Sequence, residues 1–143
     1  MRYCTLSDLK LAIPARALIQ LSNDDPSASR MNARVVKEAI RQAEERCDAY
    51  LRGRYVLPLS PVPTVIRDAC VYLARHWLYA RRPEGADLPE AVTSTYKNAI
   101  KLLEDVRDGK LTIGTPSGAA QPEPGEFRAR ARKPVFGVGL EKY

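Results

Sequence analysis

The chain has 143 residues, 45% of them hydrophobic and 28% charged, with a formal net charge of +6 and three cysteines. That length suits one domain with a sizeable core, because a chain of about 150 residues buries roughly two-thirds of its unfolded surface. No apolar run reaches the roughly 18 residues that a membrane-spanning helix needs. Met1-Arg2-Tyr3-Cys4-Thr5 lacks a hydrophobic signal core, so the protein is expected to stay in the cell that makes it.

Cys4, Cys47 and Cys70 are odd in number, widely spaced and without a CxxC pair, which argues against a disulfide framework or a zinc site. Cys47 and Cys70 fall on apolar helix faces and read as small buried hydrophobes. The charge is uneven. Residues 1–108 carry 17 basic and 14 acidic side chains, whereas residues 109–143 carry 6 and 3, so the C-terminal part is the densely basic one. Such density favours polyanions or an acidic protein surface.

Thr5-Leu6-Ser7-Asp8 has the form of a capping box and opens a short helix from Leu6 to about Ile13. Pro14 breaks it, and a second short helix is expected over Ala15 to Leu21. Ser22-Asn23-Asp24-Asp25-Pro26-Ser27 is a turn or loop by composition. Asn32, a good N-cap, starts a long helix that runs to about Arg52. Its apolar positions Val36, Ile40, Ala43, Cys47 and Tyr50 define one face. Lys37, Glu38, Arg41, Glu45 and Asp48 fall opposite, with Arg41 and Glu45 spaced as an attractive pair.

Gly53 is expected to stop this helix by taking the left-handed conformation. A strap follows, Tyr55-Val56-Leu57-Pro58-Leu59-Ser60-Pro61-Val62-Pro63, in which three prolines exclude a helix or a central strand. Leu57, Leu59 and Val62 are too apolar for a free linker and should pack on the helices. The next helix, from Pro63 or Thr64 to Arg81, repeats the stripe at Ile66, Cys70, Leu73, Trp77 and Ala80. Val65, Ala69 and Tyr72 widen it, marking this helix as the most buried. After the loop Pro83-Glu84-Gly85-Ala86-Asp87, Pro89 suits the first turn of a further helix reaching Asp108. Val92, Tyr96, Ala99, Leu103 and Val106 form its stripe, and Gly109 ends it. The expected fold is mainly α, a small antiparallel helical bundle over residues 1–109.

Residues 110–143 form the second region, an extended basic tail. Thr115 to Gly125 is linker-like, rich in proline, glycine and small residues. Phe127-Arg128-Ala129-Arg130-Ala131-Arg132 alternates with period 2, and Val135-Phe136-Gly137-Val138-Gly139-Leu140 closes with an apolar patch. The tail buries little by itself and is expected to order on a partner, through Phe127, Arg128, Arg130, Arg132, Val135, Phe136 and Leu140.

Catalytic chemistry is hard to assemble. His76 is the single histidine, and it reads as a packing residue beside Trp77. There is no GxxxxGK[ST] or GxGxxG phosphate loop. Asp24-Asp25 lacks the spaced ligands of a calcium loop. Glu44-Glu45 and Glu104-Asp105 are adjacent in sequence and diverge around their helices. No enzyme activity and no cofactor or metal are expected. Arg52, Arg54, Arg81 and Arg82 admit two readings. They are helix-end cations, each worth about 0.3–1 kcal/mol against the macrodipole, or they line a subunit or DNA-facing surface. Tyr50, Tyr55, Trp77 and Tyr79 are more often core than interface residues.

Between Asp48 and Arg82 several unusual residues occur in order: Arg54-Tyr55, Leu57-Pro58-Leu59, and Trp77-Leu78-Tyr79 followed by Arg81-Arg82. This pattern resembles the Mu-like prophage head-tail connector family of tailed phages over about residues 3–108. Asp24-Asp25-Pro26-Ser27-Ala28-Ser29 departs from the acidic, glycine-bearing loop common there, and the tail is outside the resemblance. The resemblance implies a structural protein of the virion neck, assembled in the host cytoplasm. It implies a homo-oligomeric ring of about twelve copies beneath the portal protein, since head-to-tail contacts close when the rotation allows. The ring would extend the channel for packaged DNA and offer a platform for the next neck or tail-completion protein, with no membrane involved. It moves Arg52, Arg54, Tyr55, Arg81 and Arg82 towards subunit or portal contacts. The rival reading is a DNA-binding helical regulator with a basic C-terminal arm, although no helix-turn-helix spacing with a polar recognition helix is evident.

Overall fold

The computed structural model describes residues 2–81 and 87–114, and within them five helices pack around one core with no sheet. In chain order these are α1 (Leu6–Ala12), α2 (Ala15–Ser22), α3 (Ala33–Leu51), α4 (Thr64–Ala80) and α5 (Glu90–Arg107). The mainly helical expectation holds, and the helix limits fall within a residue or two of those read from the sequence. Arg82 and the tail residues Phe127, Arg128, Arg130, Arg132, Val135, Phe136 and Leu140 lie outside the described residues.

Local chemistry explains the helix ends. Thr5 Oγ1 accepts the Asp8 N–H (3.2 Å) while Asp8 Oδ2 accepts the Thr5 N–H (2.9 Å), a complete capping box on α1. Asn32 Oδ1 accepts the Arg34 N–H (3.2 Å) at the start of α3. Pro63 and Pro89 stand at the N-cap positions of α4 and α5, so Pro89 sits just before the first turn instead of inside it. At the end of α5, Gly109 has φ 82°. Its N–H donates to Val106 O and the Lys110 N–H to Asp105 O, the paired bonds of a Schellman ending.

Gly53 does not behave as expected. It is not in the left-handed region, since the positive-φ glycines among the described residues are Gly109 and Gly114. Instead α3 ends right-handed: Arg52 N–H donates to Asp48 O, and the Arg54 and Tyr55 N–H groups both reach Leu51 O. The chain turns by tightening its last turn, which requires no positive φ.

The core is a single cluster to which all five helices contribute. Leu9, Leu18, Ile40, Leu51, Ile66, Leu78 and Leu103 are fully buried, each stabilising the fold by about 1.5–3 kcal/mol relative to exposure. Helix α4 is the hub, touching each of the other four. Its stripe is rotated from the expected one, however. Ala74 and Leu78 are buried where Ala80 is exposed, and Val65 is 41% exposed, because α1 and α2 cover a neighbouring face.

The strap packs as expected. Leu59 is buried, and Leu57 and Val62 lie half-buried against the core. Its Leu57-Pro58 and Ser60-Pro61 peptides are cis. Beyond α5 the core also takes in Ile113, whose N–H donates to Tyr55 Oη (3.4 Å). One end of the bundle thus gathers the C-terminus of α3, the strap and the exit of α5, where Arg107 lies over the Tyr50 ring (5.5 Å). The other end gathers the α2–α3 loop and the C-terminus of α4. The long helices therefore run antiparallel.

Candidate functional site

The sequence-derived surface residues do not converge on one patch. Arg52 is exposed at the C-cap of α3, and Arg54 is partly buried at the strap end. Tyr55 is 3% exposed, so its ring belongs to the core, in line with the usual placement of such aromatics. Arg81 lies at the opposite end of α4, which at 17 residues is about 25 Å long. There its Nη1 donates to Leu21 O (2.6 Å) and its Nη2 to Asp24 Oδ1 (3.0 Å). Arg81 thus clamps α4 to the end of α2 within the chain. The loop beyond is held by the chain itself, with Asp25 Oδ1 accepting the N–H and hydroxyl of Ser27.

What the surface does offer is apolar. Leu11 is 89% exposed on α1, and Val56 and Leu111 are exposed at the strap end. Leu11 edges an open groove of about 540 Å³ between α1, α4 and α5, lined also by Asp8, Arg67, Asp68, Tyr72 and Arg75. Arg75 fixes its floor, donating from Nη1 to Ala12 O (3.2 Å) and from Nη2 to Thr95 Oγ1 (2.8 Å). Val65 lines an adjoining depression on α4 and α5.

The strap end is organised by a buried polar network that sequence reasoning missed. Glu44 and Asp48 are buried. Glu44 Oε2 accepts the N–H groups of Tyr3 (2.8 Å) and Cys4 (3.4 Å). Asp48 accepts the Tyr3 hydroxyl at Oδ1 (2.5 Å) and Arg2 Nη2 at Oδ2 (2.9 Å). Tyr3 Oη in turn accepts the Leu59 N–H (3.4 Å), joining the N-terminal segment to the strap. Burial, then the bond to Asp48, pushes the Tyr3 hydroxyl well above its ordinary pKa, so it stays a donor.

This corrects the placement of Asp48 on the solvated face of α3. A signal was available: Ile40, Glu44, Cys47 and Leu51 step by 4, 3 and 4, which puts a carboxylate in the apolar register. The Arg41–Glu45 pair is likewise replaced, since Arg41 bonds Glu38 through Nε (2.9 Å) and Nη2 (2.7 Å).

His76 stacks on Tyr96, ring centroids 3.7 Å apart. Partial burial and then the Arg46 charge lower its pKa, which keeps the imidazole neutral at pH 7. Among the described residues, Cys4, Glu44 and Cys70 are the group whose donor atoms lie close enough to share a metal ion.

These features define a small helical protein with several exposed apolar side chains and, among the described residues, no helix long and apolar enough to cross a membrane. Residues 3–131 match the protein family described as "Bacteriophage Mu, Gp36", and the chain belongs to that family. It is 31% identical over 138 residues to "Gene product J" of Escherichia phage Mu, covering 95% of this chain and 94% of that protein. Over 89 residues it is 36% identical to "Mu-like prophage FluMu protein gp36" of Haemophilus influenzae, covering 62% of this chain and 60% of that one. The phage affiliation implied by the residues from Asp48 to Arg82 therefore stands at the level of the family.

Proposed function

We propose that this phage protein is a non-enzymatic head-tail connector, whose copies form a ring beneath the portal and join the filled head to the tail. The observation that carries this reading is that exposed apolar side chains lie on different elements of the bundle. The groove edged by Leu11 lies on the α1–α4–α5 face, whereas Val56 and Leu111 stand at the strap end. A ring of identical subunits needs two different patches that meet head to tail, and a self-matching patch would give only a closed pair. Membership of a phage family across residues 3–131 supports the setting.

Arg52, exposed at the end of α3 four residues before Val56, would give that contact a charge facing Asp8 and Asp68 of the neighbour's groove. Residues 115–143 would reach the portal or an adjacent subunit, their arginines meeting carboxylates or the packaged DNA.

Electron microscopy of the chain mixed with portal-bearing heads tests the proposal. Rings seated under the portal are the expected result, together with their loss when Leu11→Glu is introduced at unchanged melting temperature. A chain that stays monomeric with portal and binds free DNA with steep salt dependence would instead favour the regulatory reading.

A further inference from the structure

Three cysteines from three separate elements meet in the core: Cys4 on the N-terminal segment, Cys47 on α3 and Cys70 on α4. Cys4 Sγ and Cys70 Sγ are 3.2 Å apart, and Cys47 adjoins Cys70. Glu44, nearly one turn before Cys47, brings a carboxylate oxygen within 4.8 Å of the Cys4 and Cys70 sulfurs. All four residues are 4% exposed or less. The backbone donors of Tyr3 and Cys4 both reach Glu44 Oε2, which fixes the carboxylate beside the two sulfurs.

We propose that Cys4, Cys70 and Glu44 form a buried site for a divalent metal ion, and that the ion is Zn²⁺. The chemistry selects it. Thiolates are soft ligands that favour zinc over magnesium or calcium, and two cysteines with a carboxylate supply three donors of the kinds that bind it. Zn–S bonds of about 2.3 Å in a tetrahedron set sulfurs roughly 3.8 Å apart, so the Cys4–Cys70 pair must open by about half an ångström.

The protons balance simply. Each cysteine that ligates gives up its thiol proton to solvent, and the ion's two positive charges offset the thiolates formed beside the Glu44 carboxylate. Without an ion Cys70 holds its proton, since the Cys4 and Cys47 neighbours, and then burial, push its pKa up. A bound ion would tie the N-terminal segment to α3 and α4, making folding stability depend on metal.

The test uses the full chain, purified under reducing conditions without chelator, apo or reconstituted with Zn²⁺ or Co²⁺ alone. We expect about one zinc per chain by elemental analysis and the intense near-ultraviolet band of cobalt–thiolate bonds. Chelation should lower the melting temperature by about 5 °C or more. Cys4→Ser and Cys70→Ser should each reduce retained zinc about tenfold or more. The cobalt band of the unaltered chain needs no variant, so a misfolded mutant does not shield the idea. Failure of the reconstituted chain to hold zinc or to show the band would overturn it. So would wild-type zinc content in both serine variants.

Discussion

The two ends of this bundle are both held by polar contacts, yet in opposite ways. At the strap end most of the contacts are buried, with Asp48 and Glu44 receiving Tyr3 and Tyr3 passing a bond on to the strap. At the other end Arg81 reaches the surface, where its partner Asp24 is 85% exposed. An exposed ion pair gains little because water competes for both charges, and its typical worth is about 0–1 kcal/mol. A buried acceptor is different. Removing it strands donors that no water can reach, at about 1–3 kcal/mol each. The strap end should therefore be the energetically stiff end, and the α2–α3 loop end the yielding one.

The largest effect should come from Leu57→Ser combined with Leu59→Ser. Leu59 is almost fully buried and Leu57 partly so, and we expect a loss of about 3–5 kcal/mol in urea unfolding. Coincident midpoints for wild type and double variant would show that the strap adds nothing to the stiff end.

Asp48→Ala comes next. It strands the Tyr3 hydroxyl and weakens the hold on Arg2, for about 2–3 kcal/mol. Amide exchange should then speed up at the N-terminal segment and the strap before it does so in α4. A uniform change across the chain would break the idea of a distinct stiff end.

Arg81→Ala should cost about 1–2 kcal/mol, most of it from the bond to Leu21 O, and Asp24→Asn under about 0.5 kcal/mol. Equal effects of the two variants would mean that the exposed carboxylate matters as much as the shielded carbonyl.

The smallest effect belongs to Glu38, whose bonds from Arg41 and then Gln42 lower its pKa to about 2. The sign follows from linkage. The unfolded chain binds the proton more tightly, so the stabilisation is present above the ordinary carboxylate range and is lost as pH falls through about 2. NMR titration of the Glu38 carboxyl should find the low value, with only a slight effect on the melting curve because the pair is exposed. A normal carboxylate titration would remove the pair from consideration.

Much of the fold was legible in the sequence because helix ends and apolar stripes are local. Thr5 and Asp8, Asn32, the two N-cap prolines and Gly109 act on groups within a few residues, so their effect can be read without knowing the rest of the chain. The strap was legible for a related reason: prolines exclude a helix, and leucines beside them must find cover. Gly53 shows the limit, since a glycine permits a left-handed turn but does not require one, and here the bonds to Leu51 O close the helix without it.

Only the tertiary structure decided what lies across from each helix face. The sequence periodicity cannot tell a solvated carboxylate from one facing Tyr3, 45 positions away, because burial of Asp48 depends on where the N-terminal segment lands. The same holds for Arg81, whose partners lie 60 and 57 residues earlier in the chain. It holds most strongly for Cys4, Cys47 and Cys70. Their spacing suggested three unrelated thiols, and packing of the N-terminal segment on α3 and α4 made them neighbours. Contacts between elements are set by the shape and burial of the whole core, and a one-dimensional pattern carries the face of each helix but not its opposite number.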